Sequence, residues 1–158
     1  MSLGTFSYSL PVNEPVLGYA PNSAEKAKLK ATLAELKSVE ADIPMYIGSK
    51  EVRTNKKVAI HPPHEIKHTL GYFHAGEEKH VSQAIEAALA AKESWAAMSW
   101  ESRAAIFLKA ADLISGPYRA AINAATMLGQ SKNAYQAEID AACEFADFLR
   151  FNVYFAAE

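Results

Sequence analysis

The sequence holds a single cysteine in 158 residues, so no internal disulfide can form and the usage fits a reducing compartment. No apolar run approaches the roughly 18 residues that a membrane-spanning helix needs. The opening MSLGTFSYSLP lacks a charged region followed by an apolar one, so it does not read as a secretory signal. Neither sign of charge is in excess: 16 Lys and Arg against 18 Asp and Glu leave a net charge of −2. That balance offers no electrostatic footprint for nucleic acid or for an anionic membrane. No GxGxxG or P-loop occurs, and Gly129-Gln130-Ser131-Lys132 lacks the spacing of a phosphate cradle. No fixed-period repeat is present. What remains is an ordinary globular composition, 50% hydrophobic and 22% charged, of a length that suits one domain.

Residues 1–22 contain Pro11, Pro15 and Pro21 without any period, and read as an extended arm lying across a larger body. Ser23 is a plausible N-cap for a helix carrying Leu29, Leu33 and Leu36, with Glu25 in its first turn and Pro44 closing the region. Met45 to Val52 reads as strand, Gly48 turn and strand; Lys57 to His61 and His68 to His74 read as two further short strands. Three short strands need cover to be stable. From Gly76 onward the pattern is helical. Val81, Ile85, Ala88, Leu89 and Trp95 form one stripe; Ala104, Phe107, Leu108, Ala111 and Ile114 form a second, stopping at Gly116-Pro117. Pro117 suits the first position of a third helix, with Tyr118, Ile122, Ala125 and Leu128 on one face and Gly129 at its end. The last helix is expected from about Asn133 to the end.

One acid breaks the pattern of that last helix. With Glu138 at zero on a wheel of about 100° per residue, Ala134, Ala141, Ala142, Phe145 and Leu149 fall within roughly 60° of it. Asp140, Glu144 and Asp147 fall on the opposite, solvated side. A carboxylate on the apolar stripe needs hydrogen bonds, a cation or a ligand, because burying it bare is costly. Three readings are open: a favourable place in the second turn after an Asn133 N-cap, an ion pair with another helix, or a ligand contact.

Other residues with chemical potential read as structural. Cys143 lies mid-helix among acids, which raise a thiol pKa, and no His is near it in sequence; a small buried hydrophobe fits it best. His61, His64, His68, His74 and His80 cluster in sequence, but Pro62-Pro63 argues against the helix that would converge them, and no Cys joins them. No metal site is expected. Lys132 follows a helix end, as a capping cation or as a group facing a ligand carboxylate. Arg150 lies about 120° from Glu138 on the wheel, so the two do not share a face. Trp95 and Trp100 bracket a helix–helix turn as packing anchors.

Trp95, Ser99, Arg103, Ala104 and Lys109 to Leu113 resemble a pattern of the aldehyde dehydrogenase family. Gly129, Gln130 and Lys132, Gln136 to Ala142, and Arg150 to Asn152 resemble, more narrowly, its 1-pyrroline-5-carboxylate dehydrogenase branch. The likeness reaches back to about Asn13. It implies a parent α/β enzyme with a Rossmann-like cofactor domain, of which residues 23–158 are a partial, predominantly α-helical piece with a few short N-terminal β-strands. The resemblance further implies that the parent uses NAD to oxidise glutamate semialdehyde to glutamate in proline degradation. Family members are several times longer, and the nucleophilic Cys, the general-base Glu and the dinucleotide-gripping residues would lie beyond Glu158. The piece itself is expected to be inactive, with no catalytic residue and no bound cofactor. Glu138 is implied to line the aldehyde entry tunnel and to contact the substrate's α-amino group. A homo-oligomer in a bacterial cytoplasm or the mitochondrial matrix is expected, with no nucleic-acid or membrane partner. The alternatives are a non-catalytic helical interaction domain, or another aldehyde dehydrogenase with an amino-acid-like substrate.

Overall fold

The computed structural model describes residues 8–158; the first seven residues of the expected arm lie outside the described residues. From residue 8 to Asn22 the arm has no helix or strand. The side chain of Ser23 then accepts a hydrogen bond from the Lys26 N–H, and α1 (Ala24–Ser38) begins where the capping pattern places it. This helix stops well before Pro44, because residues 41–43 are taken by a strand that the sequence pattern does not reveal.

That strand, β1 (Ala41–Ile43), runs parallel to β5 (Gly71–His74), which in turn pairs antiparallel with β4 (Lys57–Ile60). The expected strand from His68 forms only from Gly71. β2 (Met45–Ile47) and β3 (Lys50–Val52) make a separate hairpin about Gly48, whose φ of +61° suits glycine. Gly71 is required for a different reason. A Cβ there would sit 2.2 Å from the Ala41 carbonyl oxygen, so only glycine lets β5 approach β1.

The rest is helical. The stripe expected on α2 (Glu78–Ala97) exists but is uncovered, with Val81, Ile85 and Leu89 all exposed. α3 (Trp100–Ser115) starts on the Ser99 side chain and buries Ala104, Ala111 and Ile114 as expected, although Phe107 stays exposed. α4 (Arg119–Gln130) departs from expectation at both ends. It begins at Arg119 rather than at Pro117, and the left-handed cap is Ser131 (φ +58°) rather than Gly129. Its buried face is accordingly Arg119, Ala120, Asn123, Ala124 and Leu128, while Tyr118 and Ala125 are exposed.

The last helix is not uniform. A short α5 (Ala134–Ala137) leads into a π-helical segment, Glu138–Cys143, followed by α6 (Glu144–Ala157). The wider π turn rotates everything after it relative to a straight α-wheel. The buried stripe therefore runs through Ala142, Cys143, Ala146 and Val153, and Phe145 is turned out to solvent. Ala146 seats against Ala111 and Ile114 of α3, with Ile122 and Leu149 packed at the edge. Small residues at this contact bring the helices close together.

Gly71→Ala is expected to lower stability by more than about 1 kcal/mol, since the new methyl must push β5 off β1. Urea unfolding measures the loss; unchanged stability would mean that β1 and β5 are not in contact.

Candidate functional site

The site is built where the arm crosses α4 and the π segment. Asn133 caps α5, its side chain accepting from the Gln136 N–H while Gln136 accepts from the Asn133 N–H. One turn on, Glu138 opens the π segment with no exposed surface at all. Its Oε1 accepts from the Leu17 N–H at 2.8 Å, from Arg119 Nε at 3.1 Å and from Arg119 Nη2. Its Oε2 accepts from Tyr19 Oη and from Asn123 Nδ2, each at 2.7 Å, with Arg119 Nε also within 3.3 Å. Five donors from two parts of the chain, the arm and α4, thus replace the water that burial removed.

A second acid completes the arrangement. Glu14 accepts from Arg119 Nη1 and from Arg150 Nη1, both at 2.6 Å, so one carboxylate joins two guanidinium groups. Arg150 reaches Glu14 rather than Glu138, consistent with its place on the helix. Arg119 Nη2 donates to the Pro15 carbonyl at 2.6 Å. Asp147, expected on the solvated face, instead accepts from Asn13 Nδ2 at 2.8 Å and from the Glu14 N–H at 2.7 Å. The arm is therefore held along its length by α4, the π segment and α6.

The electrostatics follow from these contacts. Burial alone would raise the pKa of Glu138, but the bonds from Arg119, the Leu17 N–H, Tyr19 and Asn123 outweigh it and hold the group down at about 2. Burial and then the neighbouring carboxylate push Tyr19 up to about 12, so its hydroxyl stays a donor. Burial pulls against the charge of Arg119, yet Glu138 and Glu14 raise its pKa further. Burial works against Glu14 as well, and Arg150 and Arg119 still lower it. Tyr19 holds a left-handed φ of +49°, a strained setting for a bulky side chain that its bond to Glu138 offsets.

The other candidates fall outside this cluster, except Cys143, whose sulfur accepts from Arg119 Nη2 at 3.3 Å and donates to Glu138 Oε1 at 3.6 Å. Cys143 is buried beneath Arg119, and burial followed by the Glu138 charge pushes its thiol up to about 11. Lys132 pairs with Asp140 at 2.6 Å on the surface. Among the histidines, His74 lies between Thr54 and Asp42, His80 caps α2 by accepting from the Glu77 N–H, and His64 bonds Ser131. Among the described residues no group of three His, Cys, Asp or Glu side chains is placed to hold a metal ion. Arg119, Asn123 and Tyr19 were not legible as partners of Glu138, nor Glu14 as the second acid on Arg119. One signal was available: Arg119 and Asn123 are polar residues four apart in an alanine-rich helix, on the face of Ala120 and Ala124.

The sequence matches the model of the aldehyde dehydrogenase family over residues 50–158, and the chain belongs to that family. Its curated relatives narrow the class. The chain is 51% identical to a delta-1-pyrroline-5-carboxylate dehydrogenase of Agaricus bisporus, over 99% of this chain and 29% of that protein. It is 44% identical to the mitochondrial delta-1-pyrroline-5-carboxylate dehydrogenase of Homo sapiens, over 92% of this chain and 26% of that protein. The crystal structure of the Mycobacterium tuberculosis delta-pyrroline-5-carboxylate dehydrogenase bound with NAD superposes with a TM-score of 0.96 at 44% identity, covering 99% of this chain and 29% of that one. The fold is thus the corresponding helical part of an aldehyde dehydrogenase, and the chain spans less than a third of the length of these relatives.

Because the folded pKa of Glu138 lies below the ordinary carboxylate value of 4.5, its contribution is present at neutral pH and is lost as pH falls from about 4.5 towards 2. Loss on the order of 3 kcal/mol is expected over that window, and Glu138→Gln should flatten the curve there. Urea unfolding against pH measures both; parallel curves for the two proteins would remove Glu138 from the acid response.

Proposed function

We propose that the protein containing this chain is an NAD-dependent dehydrogenase that oxidises glutamate semialdehyde to glutamate. The observation that carries this reading is the uniform naming of relatives that match nearly the whole chain at 42–51% identity, one of which in Agaricus and one in mouse mark that range. The M. tuberculosis neighbour carries NAD, which supports the same cofactor here. In this chemistry a thiolate from the rest of the enzyme would attack the aldehyde carbon, NAD would supply the hydride acceptor, and water would release the acid.

The chain's own residues support its being the non-catalytic first part of such an enzyme. Cys143 is its only thiol; it is buried and held far above neutral pH, so it supplies no thiolate. The sequence contains no glycine-rich turn of the kind that cradles a dinucleotide's phosphates. Catalysis is assigned to the part of the enzyme that this chain does not include. Compartment follows the relatives, several of which are named mitochondrial, and a bacterial cytoplasm suits the M. tuberculosis neighbour. No described helix is long and apolar enough to cross a membrane. The exposed apolar side chains of α2 and α6 support assembly into a homo-oligomer.

Glu138 has two proposed roles. The first is to fasten the arm, and the saturation of both its oxygens favours it. The second, implied by the family resemblance, is contact with the substrate's α-ammonium. On Oε2 the two short bonds come from neutral donors, Tyr19 and Asn123, so a substrate ammonium would take the place of one of these. Glu138→Gln in the full-length enzyme separates the roles by steady-state kinetics. Fastening predicts a similar fractional loss of kcat/KM for glutamate semialdehyde and for an uncharged aldehyde; ammonium contact predicts a raised KM for glutamate semialdehyde alone. With purified full-length protein, NADH formation from glutamate semialdehyde is expected, and the 158-residue chain should form none. A full-length protein inert towards that aldehyde would end the functional assignment.

A further inference from the structure

His74 closes β5 with only 3% of its surface exposed, and polar groups from two other segments flank its ring. On one side Nε2 faces Oδ1 of Asp42, on β1, at 3.0 Å. On the other side Nδ1 meets both backbone groups of a single residue. The Thr54 N–H donates to it at 2.8 Å, and the Thr54 carbonyl oxygen lies 2.7 Å away. Thr54 belongs to the segment 53–56, which joins β3 of the hairpin to β4 of the sheet. That segment is also tied to the residue after His74. Thr54 Oγ1 donates to the Ala75 carbonyl at 3.0 Å, and the Ala75 N–H donates to the Lys56 carbonyl at 2.9 Å.

One ring nitrogen cannot serve a donor and an acceptor at once. With Asp42 ionised, Nε2 carries a proton to meet it, so the remaining choice falls on Nδ1. A neutral ring leaves Nδ1 bare, and it accepts from the Thr54 N–H. An imidazolium carries a proton there too, which suits the Thr54 carbonyl and leaves the Thr54 N–H without its acceptor. We infer that His74 is a proton-operated catch: a proton gained at Nδ1 passes the ring from the N–H of Thr54 to its carbonyl and resets the joint between hairpin and sheet. The charged groups around the ring keep its other partner constant. Arg53 donates to Oδ2 of Asp42 at 2.8 Å, and Lys57 of β4 donates to Oδ1 at 2.9 Å. Arg53, then Lys57 and His74, hold the Asp42 carboxyl well below the usual carboxylate range, so it stays ionised wherever a histidine changes charge. Glu51 of β3 accepts from the other end of Arg53. Among the described residues, no hydrogen bond or ion pair runs from α2 to the ring. His74 lies outside the Glu138 cluster and takes no part in the proposed activity.

Hydrogen–deuterium exchange of the full-length protein, resolved to single amides by fragmentation in the mass spectrometer, tests the catch between about pH 5 and 8, where histidine changes charge. Each rate is divided by the intrinsic rate at that pH, so that protection alone is compared. Protection of the Thr54 N–H is expected to fall on the order of tenfold as pH drops through this range, since one hydrogen bond is lost. The Ala75 N–H, bonded to Lys56 in both states, should keep its protection. His74→Gln cannot take up the proton and should hold Thr54 at one level throughout. Thr54 protection that ignores pH in the unmodified protein overturns the inference, whether or not the variant folds. So does an equal fall at Thr54 and Ala75, which would mean general opening of the strand end. The same fall in a folded His74→Gln protein also overturns it, because the titrating group would then lie elsewhere.

Discussion

A carboxylate stripped of water stays ionised only where donors and a cation replace the lost hydration, and Glu138 meets that condition through Arg119. The pair is not isolated. Glu14 and Arg150 extend it to two acids and two bases, so the cluster is close to electrically balanced. Balance matters because each charge left unmatched in such a place would cost several kcal/mol. It also matters for topology. Glu14, Pro15, Leu17 and Tyr19 belong to an arm with no helix or strand of its own, and their polar contacts with Arg119 and Glu138 fix its path.

The same requirement bears on the shape of the last helix. A straight α-helix through residue 138 would align Phe145 with Glu138, as the wheel shows. The π turn instead lets Glu138 face Arg119 while Ala142, Cys143 and Ala146 turn inward. Single π turns commonly interrupt α-helices at positions with a specific polar or functional demand. Here the demand is visible in the contacts: Glu138 meets α4 and the arm, while Ala146 must meet Ala111 of α3. Moving Phe145 out has a further consequence, because that ring then lines an apolar groove beside α3.

Much of this architecture is legible in the sequence where short-range chemistry decides it. Ser23 and Asn133 each cap a helix through a side-chain oxygen, and Gly48 turns a hairpin. Glu138 itself stood out as an acid among alanines, and it is buried. What the sequence hid depends on distant partners. β1 is three residues long and exposed, too short to show alternation, and exists because β5 lies beside it. The buried face of α4 differs by about one position from the apolar face, because Arg119 and Asn123 are buried for their hydrogen bonds rather than for their hydrophobicity. No local pattern links Tyr19 to Glu138 across more than a hundred residues of chain. The family resemblance supplied the class of enzyme, which composition and periodicity did not.

The composition of the interior explains why a polar cluster carries so much of this chain's organisation. Most fully buried positions are alanines, such as Ala111, Ala124, Ala137, Ala142 and Ala146, and each removes little apolar area from water. The larger apolar side chains that would normally dominate a core, including Phe145, Phe148 and Phe155, are exposed. Apart from Pro62, the largest fully buried side chains are Glu138 and Asn123. Packing of small residues brings the helices close but discriminates weakly between neighbouring registers. Hydrogen bonds and ion pairs with fixed geometry discriminate strongly, since a shift of one residue leaves a buried charge unmatched. The cluster around Glu138 therefore sets which helical faces meet, and the alanines let them meet closely. The aromatic surface of α6 is left to be covered from outside, which suits a chain that spans less than a third of its relatives' length.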